Sequence, residues 1–411
     1  MKMSAKTLLT TLLLSAAFVV PGVAMPSAGT MERHVPHMRG HFPIRFAEPD
    51  RQFVATHGQK PIKPGSGHKL VLLDPNYKIV DAPDADPSIY GTRVFGINES
   101  GQLSGQYVDS AGAFHAFLAT PNGGNFDFTT FTVNGNDTFI GYVNDKGAVD
   151  GSYVDNDTGI ENSWYRSEKG KITAIQLPDG PNGSFGQWLN NKGTLVGCYI
   201  DVNGTYHTYL RPKNGSLTEL ADADNSGTGD GQGTCGVTIN DAGEISGAIM
   251  DGNDVSHGFV RSPAGVYTQI DIPGAGTGPF QGTTAVETDE KGWVSGQYID
   301  SNDVFHGFIC DSSDCSNTFI SVDAPDAGTG SGQGTVAVEH REAGWSVGEY
   351  IDSSDVYHGY FRKKNGKITE FDAPGAGDQG TYTVFSSNRD HQIAGTFKDE
   401  NGIRHGFIRN P

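Results

Sequence analysis

The sequence predicts an all-β fold: a seven-bladed β-propeller of four-stranded antiparallel blades, its ring closed by an N-terminal outer strand. Three observations lead there. The chain has 57 glycines in 411 residues with little helical periodicity, one strand-rich unit recurs seven times, and the two chain ends carry complementary parts of that unit.

The unit is marked by a G-x-Y-x-D element, first seen as Gly105-Gln106-Tyr107-Val108-Asp109. It returns at Gly151, Gly197, Gly247, Gly296, Gly348 and Gly395, at spacings of roughly 46 to 52 residues, with Tyr replaced only by Ile249 and Phe397. Its Asp is kept in every copy: Asp109, Asp155, Asp201, Asp251, Asp300, Asp352 and Asp399. Just upstream lies an Asn-x-x-Gly turn, as in Asn98 to Gly101 or Asn240 to Gly243. Such a turn suits a hairpin, because Asn bonds its own downstream backbone and Gly accepts positive φ. Six residues after the Asp come His, a small residue and an aromatic, from His115-Ala116-Phe117 to His405-Gly406-Phe407; the second unit alone departs, with Asn162-Ser163-Trp164. A fourth segment, such as Gln269-Ile270-Asp271-Ile272-Pro273, closes each unit, and its alternation and terminal Pro suit an edge strand.

A lone four-stranded sheet of this size cannot bury its faces, so the units must pack on one another, and radial repetition of such sheets makes a propeller. The chain enters the repeats with an outer-strand sequence, Lys78 to Pro83, and leaves them after a third strand at His405 to Ile408. The N-terminal strand is therefore expected to complete the last blade. A linear β-solenoid is the alternative, and it would need capped rather than complementary ends.

The H-A-F triplet at His115-Ala116-Phe117, set within G-x-Y-x-D-x5-H-x-[FWY], resembles the extracellular HAF repeat family of exported bacterial proteins. The resemblance covers about residues 78 to 408 and rests on seven copies. It implies an exported repeat protein with a propeller-like fold; it implies no reaction and carries over no catalytic residue.

Upstream of the repeats, residues 1–24 read as a signal peptide: Lys2 and Lys6 precede an apolar run from Leu8 to Val20, followed by Gly22-Val23-Ala24. Residues 25–76 read as a flexible basic leader. Between Gly29 and Leu72, seven Lys or Arg stand against three Asp or Glu, with five of the thirteen His and five prolines. The propeller is assigned to 77–411, and the expected location is secreted or periplasmic, without membrane insertion. The whole chain carries −19 at pH 7, and removing the basic leader leaves a remainder more acidic still. That charge disfavours nucleic acid and anionic lipid and leaves cations, neutral glycans or basic partners; a monomer is expected.

All four cysteines lie in the exported part, where disulfides persist, and the expected pairs are Cys310 with Cys315 and Cys198 with Cys235. Zinc is the competing use, but CxxC spacing is missing.

The recurrent Asp and His are expected to serve the blade, the Asp as a turn cap and the His as its partner. Three other groups are candidates for chemistry. Oxygen-rich turns bearing Asp300, Asp303, Asp352 and Asp355 offer ligands to calcium, although no EF-hand loop is present; no other cofactor is expected. Long Gly-rich links end in Gln-Gly-Thr, placing Gln232 and Thr234, Gln281 and Thr283, Gln333 and Thr335, and Gln379 and Thr381 as a polar rim for carbohydrate hydroxyls. Residues breaking the repeat on inner strands, Glu287, Asp289, Glu339, His340 and Arg341, are candidates for acid–base work, with Trp188, Trp293 and Trp345 read as packing. No Gly-x-Ser-x-Gly or His-Glu-x-x-His motif occurs. The expected function is non-enzymatic binding or scaffolding, with a surface polysaccharide or protein recognised by the Gly-rich loop face. The alternatives are an extracellular polysaccharide hydrolase or lyase and a structural envelope protein.

Overall fold

The structure, a computed structural model, describes residues 74–411 apart from 89, 342–344, 379 and 384–386. The signal peptide, nearly all of the leader and Gln379 lie outside the described residues.

Each sequence repeat folds as a four-stranded antiparallel sheet. The first contains β2 (Thr92–Ile97), β3 (Leu103–Val108), β4 (Phe114–Asn122) and β5 (Asn125–Phe131), paired in that order. The second contains β6 (Asp137–Val143), β7 (Val149–Val154), β8 (Glu161–Arg166) and β9 (Ile172–Ala174). The third contains β10 (Ser184–Leu189), β11 (Leu195–Ile200), β12 (Tyr206–Arg211) and β13 (Thr218–Glu219), and the fourth β14 (Gly233–Ile239), β15 (Ile245–Met250), β16 (Ser256–Arg261) and β17 (Tyr267–Ile270). The fifth contains β18 (Gly282–Thr288), β19 (Trp293–Ile299), β20 (Phe305–Asp311) and β21 (Ile320–Val322), and the sixth β22 (Gly334–Arg341), β23 (Trp345–Ile351), β24 (Tyr357–Arg362) and β25 (Ile368–Phe371). The last repeat supplies β26 (Thr381–Tyr382), β27 (Ile393–Lys398) and β28 (Arg404–Arg409), and its fourth strand is the N-terminal β1 (Tyr77–Val80), which pairs antiparallel with β28. Among the described residues, helix is confined to one turn, α1 (Cys315–Thr318), after the Cys310 loop.

The repeated motif is a packing device. The aromatic of the His-x-aromatic triplet is fully buried in every unit: Phe117, Trp164, Tyr209, Phe259, Phe308, Tyr360 and Phe407 each expose 0%. Its ring lies across the glycine of G-x-Y on the neighbouring strand. A Cβ on Gly105 would stand 2.2 Å from Phe117, and one on Gly247 2.8 Å from Phe259. Glycine is therefore required so that the ring can cover the backbone, and each such ring contributes roughly 2–3 kcal/mol by burial.

The separate blades expected from sequence are modified in one respect. Single-residue parallel pairs, Tyr206 with Gly233, Ser256 with Gly282 and Phe305 with Gly334, connect the third to sixth sheets into one hydrogen-bonded path. These are the glycines of Gln-Gly-Thr. Gly233, Gly282 and Gly334 have φ of 125°, 109° and 116°, and a Cβ on any of them would stand within 2.1 Å of the preceding unit's carbonyl oxygen. Only glycine permits that approach.

Candidate functional site

The recurrent Asp and His form a fastener across three strands. Oδ1 of Asp300 accepts the amides of Asn302 and Val304, and the corresponding bonds recur at Asp109, Asp201, Asp251, Asp352 and Asp399. In five units the His faces two carboxylates: His306 places Nδ1 3.0 Å from Asp323 on the outer segment and Nε2 3.8 Å from Asp300. The same pairs are His207 with Asp222, His257 with Asp271, His358 with Asp372 and His405 with Asp81. The imidazole also stacks on the ring of G-x-Y, as in Tyr298–His306 at 4.8 Å. Hydrogen bonding to Asp222, Asp271 and Asp323 raises the pKa of His207, His257 and His306 above the ordinary histidine value. The two exceptions support the pairing. The first unit carries Thr132 rather than Asp at the matching outer position, and His115 turns to Asp109 at 2.8 Å; the second has neither partner, with Asn162 and Gln176 in their places.

These bonds also occupy the oxygen-rich turns considered for calcium. Asp303 and Asp355 accept the side-chain amides of Gln281 and Gln333 at 2.8 Å, while Asp300 and Asp352 cap their own turns. Among the described residues, no group of three or more His, Cys, Asp or Glu is placed to hold a metal ion.

Of the Gln-Gly-Thr residues, the Thr side chains sit inside the links, while Gln232, Gln281 and Gln333 are half-buried. Thr234, Thr283, Thr335 and Thr381 are each 0% exposed, and their hydroxyls accept the amides of Ala223, Ile272, Ala324 and Ala373. Gln232, Gln281 and Gln333 accept an amide of their own loop and donate to Asp254, Asp303 and Asp355 of the adjacent turn. Hydrophilic composition suggested contact with ligand; the register shows that these groups hold the link to the blade.

The link face itself is one-sided in charge. None of the links, and none of the turns between second and third strands, contains Lys or Arg, whereas nearly all contain Asp. Lys146, Lys169, Lys192, Lys213, Lys291, Lys363 and Arg389 all lie in the turns at the other ends of the strands. On the link face Phe280 is distinctive. It has φ of 65° and 42% exposure, where the neighbouring links place Gly231 and Gly332 at 80° and 81°. Its amide donates to the Asp254 carbonyl at 2.6 Å, tying it to the turn of the fourth unit.

The structure divides the acid–base candidates. Glu287, Glu339 and Arg341 come together: Arg341 Nη2 lies 2.7 Å from Glu339 Oε1, Glu287 accepts the His340 amide at 3.0 Å, and the other Glu339 oxygen accepts the Ser387 amide and hydroxyl at 3.1 and 3.0 Å. Burial, and then the neighbouring Glu339, push Glu287 up to about 8, and burial raises Glu339 as well. Burial opposes charge on Arg341, but Glu339, Glu287 and Glu99 outweigh it and raise its pKa. Asp289 instead caps its own turn through the amides of Lys291 and Trp293, filling the role of Asn in other units. His340 alternates to the opposite face of its strand, packs 6.2 Å from Trp293, and has its pKa lowered by burial.

Sequence reasoning passed over two further buried acids. Asp150 is 0% exposed, its carboxyl facing the backbone amides of Tyr142 and of its own residue, and Glu349 is 1% exposed and accepts the Thr383 amide at 3.0 Å. Burial pushes each up to about 7. The available signal was their break with the repeat, since other units carry Ser, Val or Ala where Asp150 stands.

Both expected disulfides are formed, Cys198–Cys235 between the third and fourth sheets and Cys310–Cys315 around a local loop. No helix of the described residues is long and apolar enough to cross a membrane.

Among solved structures, the chain is similar to a streptogramin B lyase, with 12% identity, a TM-score of 0.54, and coverage of 82% of this chain and 97% of that one. It is also similar to virginiamycin B lyase from Staphylococcus aureus, at 12% identity and a TM-score of 0.53 over 82% of this chain and 99% of that one. At this identity the likeness establishes the fold class, a β-propeller, and nothing of the activity. No family model and no curated protein matches the chain.

Proposed function

We propose that the protein is an exported seven-bladed propeller of the HAF repeat type that binds a surface polysaccharide through its link face. Closure of seven sheets is supported by contacts between the last and first repeats: Val94 and Thr396 exchange hydrogen bonds at 3.0 and 3.1 Å, and Asn388 donates to the Asn98 carbonyl. The latter continues the turn-to-turn relay of Asn98 to Asn144, Asn144 to Asn190 and Asn190 to Asn240. Export is supported by the two disulfides.

The observation that carries the binding site is Phe280. An aromatic side chain in the left-handed region costs about 1 kcal/mol relative to glycine, and strain kept at an exposed position is a mark of use. The half-exposed Phe280 is tied through its backbone to the turn of Asp254, and its chain neighbour Gln281 reaches Asp303, so an apolar ring and hydrogen-bonding groups share one link, a combination that suits a sugar ring. A binding rather than hydrolytic role is favoured because the Glu339 oxygens are held by backbone, Ser387 and Arg341, and Asp289 is a turn cap.

The test is a glycan array probed with the purified full chain, with and without calcium, followed by product analysis on every glycan that binds. Binding without turnover, lost in Phe280→Ala, is the expected result. Product release abolished by Glu339→Gln would replace this reading with a hydrolase or lyase, and an empty array would point to a protein partner or a structural role.

A further inference from the structure

The first unit differs from the others in its outer hairpin. β4 and β5 run for 9 and 7 residues, whereas the outer strands of the other units run for 2 to 4. Alternation along β5 divides its faces. Phe126 and Phe128 pack into the cluster of Val80 and Leu103, while Phe131, with Leu118 and Trp164, belongs to the cluster shared with the second unit. Thr129, paired with Leu118, lies on that second face. Between this wall and the Asp145–Gly147 turn of the second unit is a cavity of about 270 Å³, on the side of the lysine-bearing turns. Ser100, Gln102 and Thr129 line it from the first unit, and Lys146, Arg166 and Glu168 from the second.

All but one of the charged groups there are engaged. Asp145 accepts the Glu99 amide at 3.1 Å and the Asn191 side chain at 2.7 Å. Lys213 holds both oxygens of Glu168, at 2.9 and 3.1 Å, and Lys146 donates to the Asn191 carbonyl. Arg166 is the exception. It is half-buried and lies 5.1 Å over the Phe131 ring, and among the described residues its guanidinium makes no hydrogen bond and no ion pair. Stacking alone belongs to the repeat, since Arg211, Arg261 and Arg409 hold the equivalent position and also lie over aromatic rings. Arg166 adds to that packing role an opening onto a polar cavity.

We infer that this cavity binds a sugar acid, its carboxylate held by Arg166 and Lys146 and its hydroxyls by Ser100, Gln102 and Thr129. A guanidinium presents two parallel N–H donors that match a carboxylate, and stacking on Phe131 fixes the plane of that fork. Lys146, Arg166 and Lys213 outnumber Asp145 and Glu168, so the charge around the cavity is positive on a chain of −19. The volume lies just below the ~300 Å³ at which small-ligand sites begin, which suits one sugar residue rather than a length of chain. A free sugar acid and the end of an acidic polysaccharide share this chemistry. The site lies at the opposite strand ends from Phe280 and does not depend on the polysaccharide reading.

The experiment is calorimetric titration of the full chain at pH 7 with glucuronate, with glucose, its uncharged counterpart, and with acetate, the carboxylate alone. Glucuronate is expected to bind about tenfold more tightly than either. Arg166→Gln is expected to weaken it about tenfold, and Thr129→Val, at an exposed position, about threefold. Arg261→Gln removes a stacked Arg at an equivalent position outside the cavity and is expected to leave the affinity unchanged, with thermal unfolding confirming that each variant is folded. A glucuronate trisaccharide separates the two sources: tighter binding than the monomer supports the site as one for a chain end, and equal binding supports it as one for the free acid. Equal affinity for glucuronate and glucose, glucuronate no tighter than acetate, no binding at millimolar concentration, or equal losses in the Arg166 and Arg261 variants overturns the proposal.

Discussion

The junction between the third and fourth sheets and that between the sixth and seventh solve one geometric problem with different chemistry. In both, the middle residue of G-x-Y points at the next unit's inner strand. At the first, Cys198 bonds covalently to Cys235; at the second, the buried Glu349 carboxylate accepts the Thr383 amide. The seventh sheet meets the first through Thr396 at the same position, bonded to the Val94 backbone. The repeat therefore specifies a direction and leaves the bond to each unit. One junction answers to redox conditions and the other to pH.

The comparison is broken most strongly at the disulfide. Replacing both Cys198 and Cys235 by Ala is expected to lower stability by about 4 kcal/mol, against about 2 kcal/mol for Cys310 and Cys315, because the first pair closes the longer loop. Denaturant unfolding measures both, and equal losses would contradict the ordering.

Glu349 sharpens the other side. Its folded pKa of about 7 lies above the ordinary 4.5, so the folded state favours the protonated acid. The stability it contributes is complete below pH 4.5 and is lost as pH rises through about 7, a loss of about 3 kcal/mol. Glu349→Gln is expected to flatten this part of the pH–stability curve. Thermal melts from pH 4 to 8 compare the two proteins, and an unchanged slope in the variant would assign the dependence to Asp150 and Glu287.

A smaller effect of opposite sign is expected at the link face. Phe280→Gly relieves the left-handed strain and raises stability by about 1 kcal/mol while removing the aromatic ring. A variant both less stable and still able to bind glycan would count against the role given to Phe280.

The smallest effect concerns the His fasteners. His306→Ala is expected to cost less than about 1 kcal/mol, since His306 and Asp323 are partly solvated. His207, His257 and His306 have raised folded pKa values, so their contribution is present below pH 6.5 and lost as pH rises through those values. NMR titration of the imidazoles, with and without Asp323→Asn, reads this directly.

Much of the fold was legible because each repeated residue has a local reason to recur. The Asn-x-x-Gly turns, the Asp caps and the buried aromatics over glycine act within a few residues or across one strand pair, and seven copies made the pattern plain. The partnership of His with the outer-segment Asp was also present in the sequence, since the second unit loses both, but it spans 14 to 17 residues and needed the strand register to be seen. The candidate site was less legible. The Thr of the links turned inward while Gln232, Gln281 and Gln333 bonded to the adjacent turns, and of five inner-strand candidates only Glu287, Glu339 and Arg341 converged.

By itself the sequence determined the repeat, the strand order within each unit, the disulfide pairs and the complementary chain ends, all of which follow from local turn chemistry and alternation. Only the tertiary structure decided which polar groups are occupied and which are not. Thr234 and Asp289 became fasteners, whereas Asp150 was buried against the inner strands of two units, because a group's surroundings depend on what the neighbouring unit brings within about 3 Å, and that distance is set by packing between units that are about 50 residues apart in the chain.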